Sequence, residues 1–188
     1  LSLANQTISS DHLKQLQKNI VLSHACGTGE LLSDEIVALI LLLKINNLAQ
    51  GYSGVRLELI DALISLYNHQ IYPCIPSKGS VGASGDLAPL AHLALPLLGV
   101  GEVRYQGKRI NAVEGLKIAG LQVIELEAKE GLALLNGLQV STAIALTALF
   151  ATENLFETAL ISGALSVDAA HGSDVPFDDR IQKVRGYE

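Results

Sequence analysis

Apolar residues recur at helical spacing along most of this chain. Leu13, Leu16, Ile20 and His24 share one face after Ser10 and Asp11, both good helix-capping types, and Gly27 closes the pattern. Ser33, with Asp34 and Glu35 in the turn after it, predicts a second helix that Gly51 stops. Ser53 is expected to open a third, with Leu59, Ile60, Leu63, Ile64 and Tyr67 as its buried stripe. "IYPCIPSKG" reads as extended or turned, because each proline biases the residue before it away from helix. A helix follows from about Asp86 and weakens near Pro96 and Gly99. "EVRYQGKRINA" alternates and turns at Gln106-Gly107, the pattern of a small surface β-hairpin. "VEGLKIAG" predicts a short helix, and residues 127–135 another that closes at Asn136-Gly137. A long alanine- and leucine-rich helix then runs from about Leu138 to His171, with Gly172 as its stop. The expected fold is mainly α, a helical bundle with one small β-hairpin, and residues 1–188 read as a single segment.

Composition narrows the function classes. Of the 188 residues 49% are hydrophobic but only 4% aromatic, so leucine, isoleucine and alanine must carry the core. The net charge of −6 is thinly spread, and without a basic face no nucleic-acid partner is expected. The apolar run from Ile36 to Leu43 ends at Lys44, and residues 87–100 are broken by Pro89, His92 and Pro96. Neither reads as a membrane span, so no membrane partner is expected. With no secretory pattern at the start and no CxxC pair, Cys26 and Cys74 read as free structural thiols in a cytoplasmic protein. His12, His24, His69, His92 and His171 are scattered without metal-ligand spacing, and no metal site is expected. Methionine is absent, which reads as a piece cut from a longer protein.

The stretch "SKGSVGASGDLAPLAHL" carries the candidate chemistry. A Walker phosphate loop needs GxxxxGK followed by Ser or Thr, whereas here Lys78 precedes the glycines and Asp86 stands at the helix start. A nucleophile elbow needs GxSxG, whereas Gly82-Ala83-Ser84-Gly85-Asp86 ends in aspartate and lacks the alternating strands of that fold. A third reading makes the backbone itself the reagent. If the Gly85 nitrogen attacks the Ala83 carbonyl, a five-membered ring closes, and loss of two waters, one involving the Ser84 hydroxyl, leaves an exocyclic methylidene. Glycine suits the attacking position because it has no Cβ. The plain alternative is a helix-entry loop capped by Ser84 or Asp86, and local pattern alone favours it.

"GSVGASGDLAPLAHLALPLLGVGEV" resembles the signature of the aromatic amino-acid ammonia-lyases. "VLSHACGTGE", "LLKINNLAQGYSG" and "AKEGLALLNGLQVSTA" extend the likeness in family order over essentially the whole chain. The resemblance implies part of a larger all-α lyase in which Ala83, Ser84 and Gly85 condense autocatalytically to methylidene-imidazolone (MIO), with no external cofactor. It implies that Asn136 hydrogen-bonds near that group and the substrate. His24 matches the position associated with accepting a histidine side chain, which points to L-histidine and non-oxidative formation of trans-urocanate. Asp86 is given a supporting role at the helix start, and His92 a structural one. The family's tyrosine base lies before the region matched by Leu1 and its carboxylate-binding arginine after Glu188, so neither is assigned here. Tyr52, Tyr67, Tyr72, Tyr105 and Tyr187 do not match the base. The family site is built from several subunits of a homotetramer, so this chain alone is expected to lack full activity. A tyrosine or phenylalanine ammonia-lyase, an aminomutase, and a non-catalytic helical assembly module stay open as alternatives.

Overall fold

Val37, Ile40, Leu41, Lys44 and Leu48 form the buried stripe of α2 (Asp34–Ala49), about one turn apart down a single face. It packs on α3 (Leu57–Asn68), whose buried residues are Leu59, Ala62, Leu63 and Leu66. The stripe expected here is therefore rotated, since Ile64 is exposed while Ala62 and Leu66 face the core. The helix also starts later than Ser53: Gly51 and Gly54 both take positive φ, and a turn occupies the residues between them. The computed structural model describes Ser9 and residues 12–186. The expected capping of the first helix by Ser10 and Asp11 lies outside the described residues.

The chain divides into two compact units, Leu1–Ala145 and Leu146–Glu188. In the first, α1 (Leu13–His24), α4 (Leu87–Ala94) and α6 (Glu130–Leu135) pack on one another. Their apolar faces, with those of α2 and α3, make one core that includes Val21, Leu41, Leu63, Leu90, Leu93 and Leu134. A 3-10 turn, Leu95–Leu98, ends the α4 segment where Pro96 removes an amide, and Gly99 closes it in the left-handed region. The expected hairpin is present as β4 (Glu102–Tyr105) and β5 (Lys108–Asn111), followed by α5 (Ala112–Ile118). Gln106 and Gly107 both have positive φ, as a two-residue turn matched to strand twist requires. The strand β2 (Tyr72–Pro73) adds to β4, giving the antiparallel order β2-β4-β5.

A second ribbon is not legible in the sequence. The strand β1 (Thr28–Leu31) pairs antiparallel with β3 (Pro76–Lys78), Thr28 opposite Lys78 and Leu31 opposite Pro76. None of the four β1 residues is fully buried, so no apolar alternation announces it. The ribbon ties the end of α1 to the start of the glycine run.

The second unit contains most of α7 (Gln139–Ala169), a 3-10 turn at Val175–Phe177 and α8 (Asp179–Arg185). The Asp178 carboxylate caps α8 by accepting from the Arg180 amide at 2.9 Å. Leu149, Phe150, Leu155, Phe156, Leu160, Ile161 and Leu165 of α7 are all exposed. Among the described residues α7 is the one helix long and apolar enough to cross a membrane by length and composition. The apolar runs that stand out in the sequence are shorter and lie elsewhere.

Candidate active site

Ser84 sits at φ +63°, a left-handed conformation unusual for a residue with a Cβ. Gly85 follows at φ +100° and forms an isolated parallel bridge with Gly137, itself at φ +133°. A Cβ on Gly85 would lie 2.4 Å from the Gly137 carbonyl oxygen, so only glycine fits. Ala83 and Ser84 are exposed, whereas Gly85 and Asp86 are buried. The bridge uses the Asp86 amide, which donates to the Gly137 carbonyl at 2.8 Å. Among the described residues no hydrogen bond occupies the amide nitrogen of Gly85, the atom that ring closure would use. Asn136 lies across the bridge, and its Nδ2 donates to the Ser84 carbonyl at 2.8 Å. Two of the residues singled out in the sequence, 52 positions apart, are thus in direct contact.

Asp86 is fully buried, and its carboxylate does not cap its own helix. Oδ1 accepts from the hydroxyls of Ser80 (2.8 Å) and Ser141 (2.6 Å), and Oδ2 accepts from the Ser141 amide (2.8 Å). Ser141 lies in the first turn of α7, so the aspartate at the start of α4 caps α7 instead. Asp86 stands at the start of α4, where a supporting role is expected, and the helix its carboxylate caps is α7. Neither serine partner stands out in the sequence.

The helix α6 that delivers Asn136 is held at both ends by buried charge. At its N-terminus Glu130 is 1% exposed and accepts from the Arg56 amide, the Arg56 guanidinium and the Glu127 amide, at 2.8–3.0 Å. Burial alone would raise the Glu130 carboxyl, but Arg56 and the two amides outweigh it and hold its pKa below the ordinary value. At the C-terminus the fully buried Lys44 donates from Nζ to the Ala133 carbonyl (2.6 Å) and the Asn136 carbonyl (2.8 Å). An anion at the first turn and a cation at the last both complement the helix dipole. In the sequence Lys44 registers only as the end of an apolar run. Its place three residues after Leu41 and four after Ile40, on the core-facing stripe, is the signal available there.

His24 ends α1 and is half-buried. Its Nδ1 lies 2.8 Å from the Ile20 carbonyl, which can only accept, so Nδ1 donates there. The ring makes no hydrogen bond to the triplet or to Asn136 among the described residues. What brings its segment to the loop is backbone: a Cβ on Gly79 would lie 3.1 Å from the Gly27 Cα.

His92 is structural, as expected. Its Nε2 accepts from the Gly27 amide at 3.0 Å, so the ring is neutral with its proton on Nδ1. Burial holds its pKa below the ordinary 6.5. The unfolded chain therefore binds the extra proton first, and this histidine's contribution to stability is complete above about pH 6.5 and fades as pH falls through the lower folded value. Urea unfolding from neutral pH to about pH 5 should show a stability loss that His92→Gln, an acceptor that does not titrate there, makes shallower. An unchanged slope would remove His92 as its source. Cys74 is half-buried and free, with burial pushing its thiol pKa up, whereas Cys26 is free but exposed, contrary to a structural place in the core. Among the described residues no three His, Cys, Asp or Glu side chains cluster as metal ligands would.

A left-handed serine between small residues, a glycine with no room for a Cβ and an asparagine on the serine's carbonyl together make one tightly held loop. The chain belongs to the aromatic amino acid lyase family, whose model matches residues 2–188. It is 80% identical over 187 residues to histidine ammonia-lyase of Legionella pneumophila (strain Corby), an alignment covering all of this chain and 37% of that protein. Among solved structures it resembles histidine ammonia-lyase from Trypanosoma cruzi, with TM-score 0.91 and 34% identity over 97% of this chain and 36% of that one. It resembles Pantoea agglomerans phenylalanine aminomutase as well, with TM-score 0.91 and 33% identity over 98% of this chain and 35% of that one. The chain thus spans little more than a third of the relatives it matches.

Proposed function

We propose that this chain is the MIO-bearing part of a cytoplasmic histidine ammonia-lyase, and that the intact enzyme converts L-histidine to trans-urocanate and ammonia. The observation that carries the reading is the loop from Gly82 to Asp86. Ser84 is already turned left-handed, Gly85 is clamped on Gly137, and the Gly85 amide nitrogen is left uncommitted. Such a loop favours attack of that nitrogen on the Ala83 carbonyl, followed by loss of two waters. Asn136 holds the Ser84 carbonyl throughout and so fixes the plane of the residues that form the ring. The closed ring would supply an electrophile for the substrate's amino group, which would make that group easier to expel. Buried Asp86, tied to Ser80 and Ser141, would steady the loop that carries the group and takes no proton from substrate.

The 80% identity to a histidine ammonia-lyase supports histidine over phenylalanine or tyrosine as substrate. His24 supports it as well, because its Nδ1 is committed to the Ile20 carbonyl and Nε2 is left for a polar side chain of the substrate. The free thiols suit a reducing compartment. The exposed apolar residues of α7 suit burial against other helices in a homotetramer, not lipid, since solved lyase structures match nearly the whole chain.

Two measurements on the intact enzyme test the reading. Mass spectrometry should find a deficit of two waters within residues 83–85, and L-histidine should yield urocanate. An unmodified triplet in active enzyme, or cinnamate or coumarate from phenylalanine or tyrosine as the preferred product, would overturn it. His24→Phe should lower kcat/KM for histidine on the order of 10²-fold while leaving the two-water deficit intact.

A further inference from the structure

Lys44 is 0% exposed, and α2 surrounds it with Ile40, Leu41 and Leu48 of the core. A buried ammonium is costly unless its donors are used. Here two donors go to Ala133 and Asn136, carbonyls at the end of a helix that have no partner further along it. Asn136 is also the residue at which the chain leaves the helix, with φ −85° and ψ 138°. Two carbonyl oxygens brought to one point repel each other unless a cation lies between them. The peptide gripped by Lys44 is the one whose side chain reaches the Ser84 carbonyl.

We propose that Lys44 is a positioning residue for the lyase reaction, acting through Asn136 on the Ser84 carbonyl; the inference rests on the lyase reading above. Without the ammonium, the Asn136 peptide is free to rotate and carries its amide away from the ring-forming residues. Misplacement by about an ångström is enough to cost roughly 10²-fold in rate. Burial also holds the Lys44 pKa down to about 8. Acidic and basic groups on the neighbouring elements are Glu58, Asp61 and His69 around α3, Glu130 on α6, and Asp86 and His92 on α4. Glu130 is taken by Arg56, Asp86 by the two serines and His92 by Gly27, and α7 carries no charged side chain before Glu153. Burial is thus what governs the Lys44 proton, and the grip weakens as that proton leaves on the alkaline side.

A double-mutant cycle in the intact enzyme tests this, with every rate divided by the ring content found by mass spectrometry. Lys44→Met should lower kcat about 10²-fold with KM changed less than about threefold. In an Asn136→Ala background the same substitution should cost less than about threefold more, because the residue it acts through is gone. Lys44→Arg, which keeps the charge, should recover part of kcat and move the alkaline limb of its pH profile upward. Should Lys44→Met fail to fold, Lys44→Arg and Lys44→Gln enter the same cycle, with the glutamine as the impaired member. Leu63→Ala, a core change on α3, should lower the melting temperature without lowering kcat per ring. Multiplicative losses in the cycle, or a kcat within about threefold of wild type for Lys44→Met, would overturn the proposal. A wild-type enzyme without the two-water deficit or without histidine turnover would instead overturn the lyase reading, and this inference with it.

Discussion

Ser84→Ala in the intact enzyme is expected to abolish the two-water deficit and to lower kcat by on the order of 10³-fold or more. The serine hydroxyl is the oxygen lost when the methylidene forms, and alanine has none to lose. Little change in stability should accompany the loss, because Ser84 is exposed and its contact with Asn136 is made by the backbone carbonyl. The alanine variant should therefore stay folded, keep its stability within about 1 kcal/mol of wild type, and show an unmodified mass. Retained turnover with an unmodified triplet would exclude the electrophile. This separation of activity from stability distinguishes the ring from a serine that only shapes a turn.

The largest stability effect should come from Asp86→Ala. Three donors, the hydroxyls of Ser80 and Ser141 and the Ser141 amide, converge on that one buried carboxylate. Removing it leaves them without an acceptor and takes the cap from α7, a loss of about 3–5 kcal/mol. Asp86→Asn should cost less, about 2 kcal/mol, because one oxygen still accepts while its amide group faces the Ser141 N–H as donor against donor. Ser141→Ala should cost about 1 kcal/mol, since it removes one hydroxyl and leaves the backbone bond. Denaturant midpoints in that order would establish the carboxylate as the tie between the two helix starts. Equal midpoints for all three variants would refute it. Ring content should follow the same order, because Gly85 and Asp86 share the bridge to Gly137.

Legibility in the sequence tracks how locally each feature is determined. The helices from Leu13, Asp34, Ala112 and Gln139 follow from spacing and stop signals, and the Gln106-Gly107 turn from its residue types. The start of α3 is misread because Ser53 is a good cap type, while two glycines hold that stretch in a turn. The β1–β3 ribbon is invisible because its pairing is set by which ends meet in space, with no buried face to print an alternation. At the site, the triplet, Asn136 and Asp86 are marked by motif, and the structure joins them through Gly137. Lys44, Ser80, Ser141 and the Arg56–Glu130 pair are not marked, because each matters only through a partner distant in the chain or across a turn. A helical period shows that a position faces inward. It does not show which carbonyl waits there.

The shortness of α6 has a consequence of its own. Six residues at the usual helical rise span about 9 Å, less than two turns, and a free helix of that length is unstable in water. Pinned by an anion's contacts at Glu130 and an ammonium at its far end, it becomes a gauge block of fixed length set between Arg56 and the Ser84 loop. Inserting or deleting one residue would rotate everything beyond it by about 100° and move it by about 1.5 Å. In this segment, then, a change in length should cost far more than a substitution at its exposed position, Leu132.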